Sequence, residues 1–349
     1  MLEDSHGRVM RDLRVSITDR CNFRCLYCLP ETEAAANFYQ SRFTPPGAAA
    51  SRPIQYDWKS RSEILTYEEI EQVVRVAVRL GIEKVRLTGG EPLLRRHVET
   101  LVGRLSRLAG VRDLALTTNG FRFAPVGRAL RDAGLHRVSF SLDSLDRENF
   151  RRMTGRDGLT EVLGAIRQAR DLGFAPVKVN AVVIRGINDS EVESLAEFGQ
   201  REGLSLRFIE FMPLDSSRAW QRDLVVSGRE ILARVQQRLE LIPVDSRANP
   251  SETARRWSFA DGRGELGIIA PVTEPFCGHC NRLRLTADGK IRTCLFSLGE
   301  HDLRPLLRSG ASDDALADAL SAIVRQKEAG HRIGQPDFVQ PARTMSCIG

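Results

Sequence analysis

The chain is organised around the stretch CNFRCLYC at residues 21–28, which carries three cysteines within eight residues. The residues just before it, LRVSIT at 13–18, alternate apolar and polar side chains as a half-buried strand does. The cysteines therefore lie in the loop that leaves a strand. A structural zinc site usually takes four protein ligands, and no fourth Cys or His lies nearby. Closely spaced thiolates, normally four, hold iron–sulfur clusters, so three predict a cluster with one iron open to a small molecule.

Composition sets broad limits on the class of protein. At 349 residues the chain can form one large domain and a smaller one, and 42% hydrophobic with 28% charged residues is typical of a soluble globular protein. The N-terminus MLEDSH contains no apolar signal region, and no apolar run approaches the ~20 residues that span a bilayer. We expect a cytoplasmic protein with no membrane contact. Its seven cysteines should bind metal rather than form disulfides, apart from Cys347, which we expect to be a free thiol.

The net charge of +6 favours anionic partners. Most of the basic residues are arginines scattered along predicted helices, where they face solvent. No block of five like charges and no basic run with interleaved aromatic residues occurs. We therefore expect no binding to nucleic acid.

Strand and helix patterns alternate six times between residues 13 and 239. The first helix begins at a capping box, TYEE at 66–69. The predicted strands cover 13–18, 84–88, 114–117, 138–141, 177–184 and 206–211. The predicted helices cover 66–80, 98–108, 126–133, 159–172, 190–202 and 228–239. This alternation predicts an α/β fold with a parallel sheet, and six units favour an open, partial (β/α)6 barrel of the TIM type over a closed one.

Two segments depart from the alternation. Residues 31–61, rich in Ala, Pro, Ser and Arg, predict a long loop insertion that is either a lid or disordered. From Pro243 onward, short strand patterns alternate with turns until a helix at 314–326. We therefore predict a barrel domain over 1–242 and a small C-terminal domain with a tail over 243–349.

Chemically distinctive residues follow the predicted strands, at the edge where parallel barrels carry their active sites. These stretches are TGGEP at 88–92, TTNG at 117–120, SLDS at 141–144, Asn180 with Arg185, and EFMP at 210–213. Three cations, Arg14, Arg86 and Lys178, lie inside strands. Lys178 could snorkel to solvent. If these cations face the barrel interior instead, they suit a polyphosphate.

A second cysteine group comprises CGHC at 277–280 and Cys294. Three cysteines again fall one short of a closed zinc site, although His279 leaves a structural Cys3His zinc open. Arg282 and Arg284 follow on one face of a predicted strand. A second cluster with an open iron beside these cations would suit an anionic or heteroaromatic substrate.

The first cysteine stretch resembles the radical S-adenosylmethionine (SAM) superfamily. Both groups together, spaced C-x3-C-x2-C and C-x2-C-x13-C, resemble the GTP 3′,8-cyclase family that begins molybdenum cofactor biosynthesis. The resemblance runs over nearly the whole chain. It rests on LRVSITDRCNFRC at 13–25, RLTGGEP at 86–92, TTNG at 117–120, FIEFMP at 208–213 and FCGHCNRLR at 276–284. It implies a partial (β/α)6 barrel with a small C-terminal domain that carries a second iron–sulfur cluster.

The resemblance also implies roles for individual residues. Cys21, Cys25 and Cys28 would hold a SAM-binding [4Fe-4S] cluster, and Cys277, Cys280 and Cys294 a second [4Fe-4S] cluster whose open iron takes the guanine. The SAM site would be lined by Tyr27, Gly90, Ser141 and Met212. GTP would be bound by Arg14, Arg86, Thr117 and Lys178, with Arg282 and Arg284 beside the nucleotide in binding and catalysis.

The mechanism implied by the resemblance begins when the reduced first cluster passes an electron to SAM. The resulting 5′-deoxyadenosyl radical takes hydrogen from the ribose C3′ of GTP, and C3′ then attacks guanine C8. One further electron, with a proton, gives (8S)-3′,8-cyclo-7,8-dihydroguanosine 5′-triphosphate. The implied partners are a reducing donor such as flavodoxin or ferredoxin, a downstream cyclic pyranopterin monophosphate synthase, and a second copy of the chain in a homodimer.

Two features depart from the family pattern. The family usually ends in a Gly-Gly tail that reaches into the active site, whereas this sequence ends Ile348-Gly349, which bears on whether the tail assists catalysis here. The second departure is the segment 31–61, which would lie next to the SAM loop and could cover it.

Two other functions remain open on the sequence. A radical SAM enzyme that modifies peptides would carry auxiliary clusters, although such enzymes tend to have more than three C-terminal cysteines. An iron–sulfur sensor or electron carrier without a substrate would need neither the interior cations nor the GGEP strand end. Cleavage of SAM, and its dependence on GTP, would separate these from a cyclase.

Overall fold

The computed structural model describes residues 1–38, 52–215, 220–245, 250–343 and 345–348, and the side chains of the last segment at 345 and 346 only. The described strands are β1 (Asp12–Ser16), β2 (Lys84–Thr88), β3 (Asp113–Thr118), β4 (Arg137–Ser141), β5 (Lys178–Val183), β6 (Ser205–Glu210), β7 (Leu241–Pro243), β8 (Arg255–Phe259), β9 (Glu265–Ile269), β10 (Arg282–Leu285), β11 (Lys290–Arg292) and β12 (His301–Asp302). The described helices are α1 (Glu33–Ala36), α2 (Tyr67–Arg79), α3 (Val98–Ser106), α4 (Gly127–Asp132), α5 (Arg147–Thr154), α6 (Leu159–Asp171), α7 (Val192–Arg201), α8 (Gly228–Gln236), α9 (Arg304–Arg308), α10 (Asp313–Val324) and α11 (Met345–Ile348).

The twelve described strands belong to one sheet in the order β12-β11-β10-β1-β2-β3-β4-β5-β6-β9-β8-β7. Strands β1 to β6 are parallel neighbours in chain order. β10 joins β1, and β9 joins β6, also in parallel. The sheet ends in β12 on one side and β7 on the other, so the barrel is open. The prediction of a partial (β/α)6 barrel is confirmed.

The chain after β7 supplies strands to both sides of the barrel. β8 and β9 extend the β6 side, whereas β10, β11 and β12 extend the β1 side. The segment that we predict as a C-terminal domain therefore flanks the six βα units on two sides. This arrangement is what brings the second cysteine group, which precedes β10, next to β1.

The capping box predicted at 66–69 is present at the start of α2. Thr66 Oγ1 accepts a hydrogen bond from the Glu69 backbone N–H, and the Glu69 carboxylate accepts one from the Thr66 N–H. Most predicted helix ends lie within two residues of the observed ones. Helix α5 has no predicted counterpart, because RENFRRMT contains only two large apolar side chains, Phe150 and Met153, and gives no sustained period.

The two faces of the barrel strands have different surroundings. Leu13 and Val15 on β1 belong to the large apolar core, together with Ile70 and Val74 of α2. Arg14, between them in sequence, lines the interior cavity. The barrel interior is therefore a cavity with charged side chains in its lining rather than a packed core, which leaves room for ligands.

The predicted insertion 31–61 is described only at its two ends, since residues 39–51 lie outside the described part, and with them the choice between lid and disorder. Its first end contains α1 and the buried Phe38, whose ring lies 6.3 Å from that of Phe211. Its second end contacts the cysteine loop (residues 21–30), because the Tyr56 hydroxyl donates to the Pro30 carbonyl oxygen at 2.7 Å. Among the helices of the described ranges, none has the length and apolar character needed to cross a membrane.

Candidate active site

A cavity of about 340 Å³ inside the barrel is lined by both cysteine groups. Of the sixteen residues predicted for the site, fifteen line this cavity. They are Arg14, Cys21, Cys25, Tyr27, Cys28, Arg86, Gly90, Thr117, Ser141, Met212, Cys277, Cys280, Arg282, Arg284 and Cys294. Residues that lie almost 280 positions apart in the sequence thus share one space. The sixteenth, Lys178, is considered separately below.

Strand register puts the two groups at different ends of the barrel. Cys21 follows the carboxyl end of β1, whereas Asp12, at the amino end of β1, is paired with Arg282, which follows Cys280 closely. β11 runs antiparallel to β10 and returns Cys294 to that same amino end. We call Cys21, Cys25 and Cys28 the carboxyl-end cysteine group, and Cys277, Cys280 and Cys294 the amino-end cysteine group. At about 3.3 Å per residue, the length of β1 between them is roughly 15 Å.

The loop of the carboxyl-end group is held by main-chain hydrogen bonds. The Arg24 and Leu26 N–H groups donate to the carbonyl oxygens of Thr154 and Met153, at 2.7 and 2.9 Å. Both acceptors belong to α5, the helix that the sequence did not predict. The Cys28 N–H closes a turn onto the Cys25 carbonyl oxygen at 2.9 Å. The cysteine loop is therefore fixed from outside the barrel.

Gly90 lets the strand end after β2 approach that loop closely. Its N–H donates to the Thr18 carbonyl oxygen at 2.7 Å, and a Cβ at this position would lie 2.2 Å from the Arg20 carbonyl oxygen. No side chain fits there without moving the main chain that leads into Cys21. Glycine at position 90 is thus required by a close approach to the chain's own backbone, and its contact with SAM stays a prediction.

Glu91 joins two of the predicted strand-end motifs. Its buried carboxylate accepts hydrogen bonds from the Asn119 N–H and the Thr118 hydroxyl, both at 2.7 Å, and from the Leu93 N–H at 3.0 Å. Burial raises the pKa of Glu91 to about 7, even though these donors favour the ionised form. Asn119 in turn points its amide at the Cys21 sulfur, 3.9 Å away.

Not all strand-end residues reach the cavity. Glu210 is fully buried and accepts hydrogen bonds from the N–H groups of Gly228, Val272 and Thr273, so it joins the end of β6 to α8 and to the loop after β9. Arg185 pairs with Glu230 instead of lining the cavity. These two residues serve the fold, whereas Ser141, Asn180 and Met212 face the cavity.

The thiols of the carboxyl-end group are disfavoured as free thiolates. Burial raises the pKa of Cys21 to about 11, and burial together with the neighbouring Cys21 and Asp143 raises the pKa of Cys25 well above its usual value. A cationic centre would be needed to hold them ionised, and cluster iron is such a centre. No described cysteine is in a disulfide. Across the described ranges, no three Cys, His, Asp or Glu side chains lie close enough to bind a single metal ion. The match to an iron–sulfur cluster therefore depends on the presence of three thiols in one loop.

The amino-end group has a different charge environment. Burial alone would raise the pKa of Cys280, but Arg282 and then Lys327 outweigh it and lower that pKa to about 7. Arg282 Nη2 lies 3.5 Å from the Cys280 sulfur, and its guanidinium stacks 5.1 Å from the Phe276 ring centroid. Burial raises the pKa of Cys294. His279, the alternative zinc ligand, is not among the described residues that line the cavity.

Three arginines of the barrel interior lie between the two groups, and Arg284 among them is buried. Arg14 is paired in register with both Arg86 and Arg284, so the three form a row across adjacent strands. Burial lowers the pKa of Arg14 to about 10 and that of Arg284 well below its usual value, and the neighbouring cations add to both effects. Within the described ranges, the buried Nε atoms of Arg14 and Arg86 have no hydrogen-bond partner. Charge and unused donors together indicate an anionic ligand.

Lys178 is buried but is not among the residues that line the cavity. It faces the same side of β5 as Asn180, which does line it, and so points to the interior. Burial, followed by Arg207, Arg137 and Arg86, lowers the pKa of Lys178 to about 7. The prediction that it faces inward agrees with this position, and its contact with substrate stays a prediction.

Sequence reasoning missed several lining residues. Arg207 on β6 lines the cavity, and the alternation in SLRFIE that predicts the strand would also have placed it inward, beside Ile209. His331, Met345 and Ser346 also line the cavity. No local pattern marks them, because they come from the C-terminal segment, which returns to the barrel through long-range contacts.

An open parallel barrel with a three-cysteine loop after its first strand defines a radical SAM protein. The sequence profile of the radical SAM superfamily matches residues 15–199, and that of "Molybdenum Cofactor Synthesis C" matches residues 204–333. The chain therefore belongs to the radical SAM superfamily and uses SAM and an iron–sulfur cluster.

Within that superfamily, the chain belongs to the GTP 3′,8-cyclase family. It is 45% identical to the GTP 3′,8-cyclase of Acidothermus cellulolyticus over 93% of this chain and 84% of that protein. It is 44% identical to that of Rhodopirellula baltica, over 100% and 92% of the two chains, and 45% identical to that of Mycolicibacterium smegmatis, over 100% and 91%.

Solved structures agree on the fold. Streptococcus suis SuiB bound to S-adenosylmethionine matches with a TM-score of 0.60 and 13% identity, over 91% of this chain and 68% of that one. SuiB bound to the precursor peptide SuiA matches with a TM-score of 0.60 and 11% identity, over 92% and 67%. At these identities the likeness concerns the fold alone.

Proposed function

We propose that this protein is a GTP 3′,8-cyclase, which converts GTP to (8S)-3′,8-cyclo-7,8-dihydroguanosine 5′-triphosphate in the first step of molybdenum cofactor biosynthesis. The observation that carries the proposal is one cavity with a three-thiol group at each end and arginines between them, two of which, Arg14 and Arg86, keep a buried Nε without a hydrogen-bond partner within the described ranges. The relatives that are 45% identical to this chain are named for that activity.

The carboxyl-end cysteine group would hold the first [4Fe-4S] cluster, and SAM would lie beside it against Tyr27, Gly90, Ser141 and Met212. When bound, these two groups supply the one-electron chemistry that removes hydrogen from the ribose C3′ of GTP. The protein keeps the loop rigid through α5 and keeps water out through the surrounding buried side chains. Tyr27 is fixed because its hydroxyl donates to the Asp143 carboxylate at 2.6 Å.

The amino-end cysteine group would hold a second [4Fe-4S] cluster with one iron available to the guanine. Arg282 and Arg284 lie beside this group and would orient the base and act in catalysis. With GTP held across the interior, C3′ and C8 are kept close for the new bond, which is the positioning that an intramolecular cyclisation needs.

The interior cations would neutralise the triphosphate. Arg14, Arg86 and Thr117 line the cavity, and Arg86 Nη1 already donates to the Thr117 hydroxyl at 3.3 Å. Lys178 lies deeper on the same face as Asn180, and Arg207 adds a charge that the sequence had not predicted. Because Arg207 is paired with Glu252 at 3.4 Å, the charge that offsets the triphosphate would come chiefly from Arg14 and Arg86, and from Lys178 when it is protonated.

The proposed partners follow from the reaction. An external reducing protein such as flavodoxin or ferredoxin must deliver electrons, and a cyclic pyranopterin monophosphate synthase would take the product onward. We also propose that two copies of the chain form a homodimer.

The test is anaerobic reconstitution with iron and sulfide, reduction, and addition of SAM with GTP, ATP, CTP or UTP in separate reactions. The readout is 5′-deoxyadenosine together with loss of the nucleotide. Deoxyadenosine formed with GTP but not with the other three supports the proposal. Deoxyadenosine formed regardless of GTP would keep the radical SAM class and overturn the cyclase assignment. The variant Cys21→Ala is the control that should form none.

A further inference from the structure

Lys327 lies between the strand that follows Cys280 and the loop that carries Cys294. Its side chain is buried, with 3% of its surface exposed. Nζ donates to the Arg282 carbonyl oxygen at 3.0 Å and to the Thr293 carbonyl oxygen. One ammonium group therefore connects the two main-chain segments that carry two of the three amino-end cysteines.

The residues after Lys327 continue around the same group. The Glu328 carboxylate accepts hydrogen bonds from the hydroxyls of Thr293, at 2.7 Å, and Ser297. Gly330 lies so close to the third cysteine that an added Cβ would be 2.9 Å from Cys277 Cβ and 3.2 Å from its sulfur. The segment 327–330 thus contacts the surroundings of all three thiols.

The N-terminal residues before β1 hold the segment 327–330 in place. Arg8 donates from Nη1 to the carbonyl oxygens of Cys277 and Ala329, at 2.9 and 2.8 Å. Its Nε is paired with the buried Asp4 carboxylate at 2.6 Å. Since Asp4 neutralises Arg8, the cation that acts on the thiols from this side is Lys327 rather than Arg8.

The charge of Lys327 lies next to the amino-end cysteines. Its Nζ contacts the carbonyl oxygens of Arg282, two residues after Cys280, and of Thr293, the residue before Cys294. The Glu328 carboxylate, which accepts a hydrogen bond from the Thr293 hydroxyl, carries the opposing charge in this segment. Both recorded hydrogen bonds of Nζ go to carbonyl oxygens, and in the described ranges no carboxylate forms an ion pair with it within 4.0 Å. A buried positive charge next to thiolates stabilises whatever negative charge the site carries.

We propose that Lys327 is a positioning residue of the amino-end cysteine group and that its charge raises the reduction potential of the cluster held there. The inference rests on the second cluster of the proposed function. A reduced cluster carries one more negative charge than the oxidised one, so a nearby ammonium stabilises the reduced form. Its two carbonyl contacts also hold the spacing between Cys280 and Cys294.

The experiment uses the full chain with Cys21, Cys25 and Cys28 all changed to Ala, so that any cluster formed after reconstitution with iron and sulfide belongs to the amino-end group. Iron per chain is counted, and the cluster is titrated potentiometrically with detection by electron paramagnetic resonance (EPR). In this background Lys327→Met should shift the midpoint potential to more negative values and reduce retained iron. Lys327→Arg, which keeps the charge, should retain the potential more closely.

Lys59→Met is the matched control, because Lys59 lies on the surface near the carboxyl end of the barrel. It should leave the potential and the iron count unchanged. If circular dichroism shows that Lys327→Met does not fold, Lys327→Gln takes its place, since it keeps a donor but removes the charge, and the potential should still fall.

An unchanged potential in a folded Lys327 variant, or an equal shift in Lys59→Met, would overturn the role of Lys327 alone. A triple-Ala background that holds no cluster would overturn the second cluster of the proposed function and this inference with it. The two failures are therefore distinguishable.

Discussion

The two ends of the barrel offer the same number of thiols in opposite charge environments. At the carboxyl end, the neighbours of Cys21 and Cys25 include the acids Glu91 and Asp143, and the pKa of both thiols is raised. At the amino end, Arg282 and Lys327 lower the pKa of Cys280 to about 7. Ligand number alone would therefore make the two groups look alike. Under the proposed function, the acidic surroundings of the carboxyl end suit the cationic sulfonium of SAM, and the arginine row and the amino end suit the anionic nucleotide.

The largest effect is expected from Gly90→Ala at the carboxyl end. The added methyl group would meet the Arg20 carbonyl oxygen at 2.2 Å, so the main chain before Cys21 must move. We expect loss of SAM binding and of deoxyadenosine formation, with iron at the amino-end group retained. SAM binding by equilibrium dialysis and iron counting measure this.

The control for that change is Gly164→Ala in α6, where an added Cβ meets nothing within 4 Å. Alanine is favoured over glycine inside a helix, so stability should stay equal or rise by up to about 1 kcal/mol. Normal SAM binding by Gly90→Ala would contradict the close approach seen here.

Removing a cation from the arginine row should weaken GTP and spare SAM. Arg14→Met deletes a guanidinium that lines the cavity and whose buried Nε has no hydrogen-bond partner among the described residues. Loss of a charged hydrogen bond costs about 1.5–3 kcal/mol, or roughly 10- to 100-fold in GTP affinity. Arg11→Met is the control, because Arg11 pairs with Glu83 outside the cavity. Equal weakening of SAM by Arg14→Met would contradict the division between the two ends.

Because the pKa of Lys178 is lowered, we expect GTP binding to depend on pH. Its folded-state pKa of about 7 lies below the ordinary value of 10.5, so the free protein loses this charge as the pH rises above 7. A triphosphate nearby would raise that pKa again, and binding should then take up a proton. We expect GTP affinity to fall by about tenfold from pH 7 to 8.5. Calorimetry in buffers of different ionisation enthalpy should detect the proton, and Lys178→Met should abolish the uptake.

The same pKa sets the sign of an effect on stability. Between pH 7 and 10.5 the unfolded chain holds the Lys178 proton and the folded chain does not. The nucleotide-free protein should therefore gain free energy of unfolding from this group as the pH rises through that window. Urea denaturation at pH 7 and 9 should show a larger increase in the free energy of unfolding for the unchanged protein than for Lys178→Met. A smaller increase would contradict the lowered pKa of Lys178.

The smallest effect is expected from the Tyr27–Asp143 hydrogen bond. Asp143→Asn keeps the size of the side chain but weakens the bond from the Tyr27 hydroxyl. KM for SAM should rise roughly 2- to 10-fold, with little change in iron content, since a typical hydrogen bond is worth about 0.5–1.5 kcal/mol. Tyr27→Phe removes the same bond, so the double variant should be no worse than either single one. Additive losses would show that the two side chains act separately.

The carboxyl end of the barrel could be predicted from the sequence more fully than the amino end. The six βα units and the capping box at Thr66 follow local patterns of period and turn chemistry, and the structure bears them out. The carboxyl-end edge could be predicted because parallel strands bring their ends together without any knowledge of strand order.

The amino end depends on pairing that no local pattern contains. β10 pairs with β1, and β9 pairs with β6, although these strands are far apart in the sequence. The pairing of β10 with β1 places Arg284 next to Arg14. Lys327 and Met345 reach the site through the same kind of contact. A charged residue in the middle of a strand, such as Arg207, could have been found from alternation alone.

The proposed function requires two clusters, one at each end of the barrel, that bind different ligands. We would prepare one variant with Ala at all three carboxyl-end cysteines and another with Ala at all three amino-end cysteines, and record EPR spectra of the reduced, reconstituted proteins with SAM or GTP. The first variant should hold a cluster whose spectrum changes with GTP and not with SAM, and the second a cluster that changes with SAM and not with GTP. If GTP does not change the EPR spectrum of the amino-end cluster, the proposal that this cluster binds the guanine is contradicted.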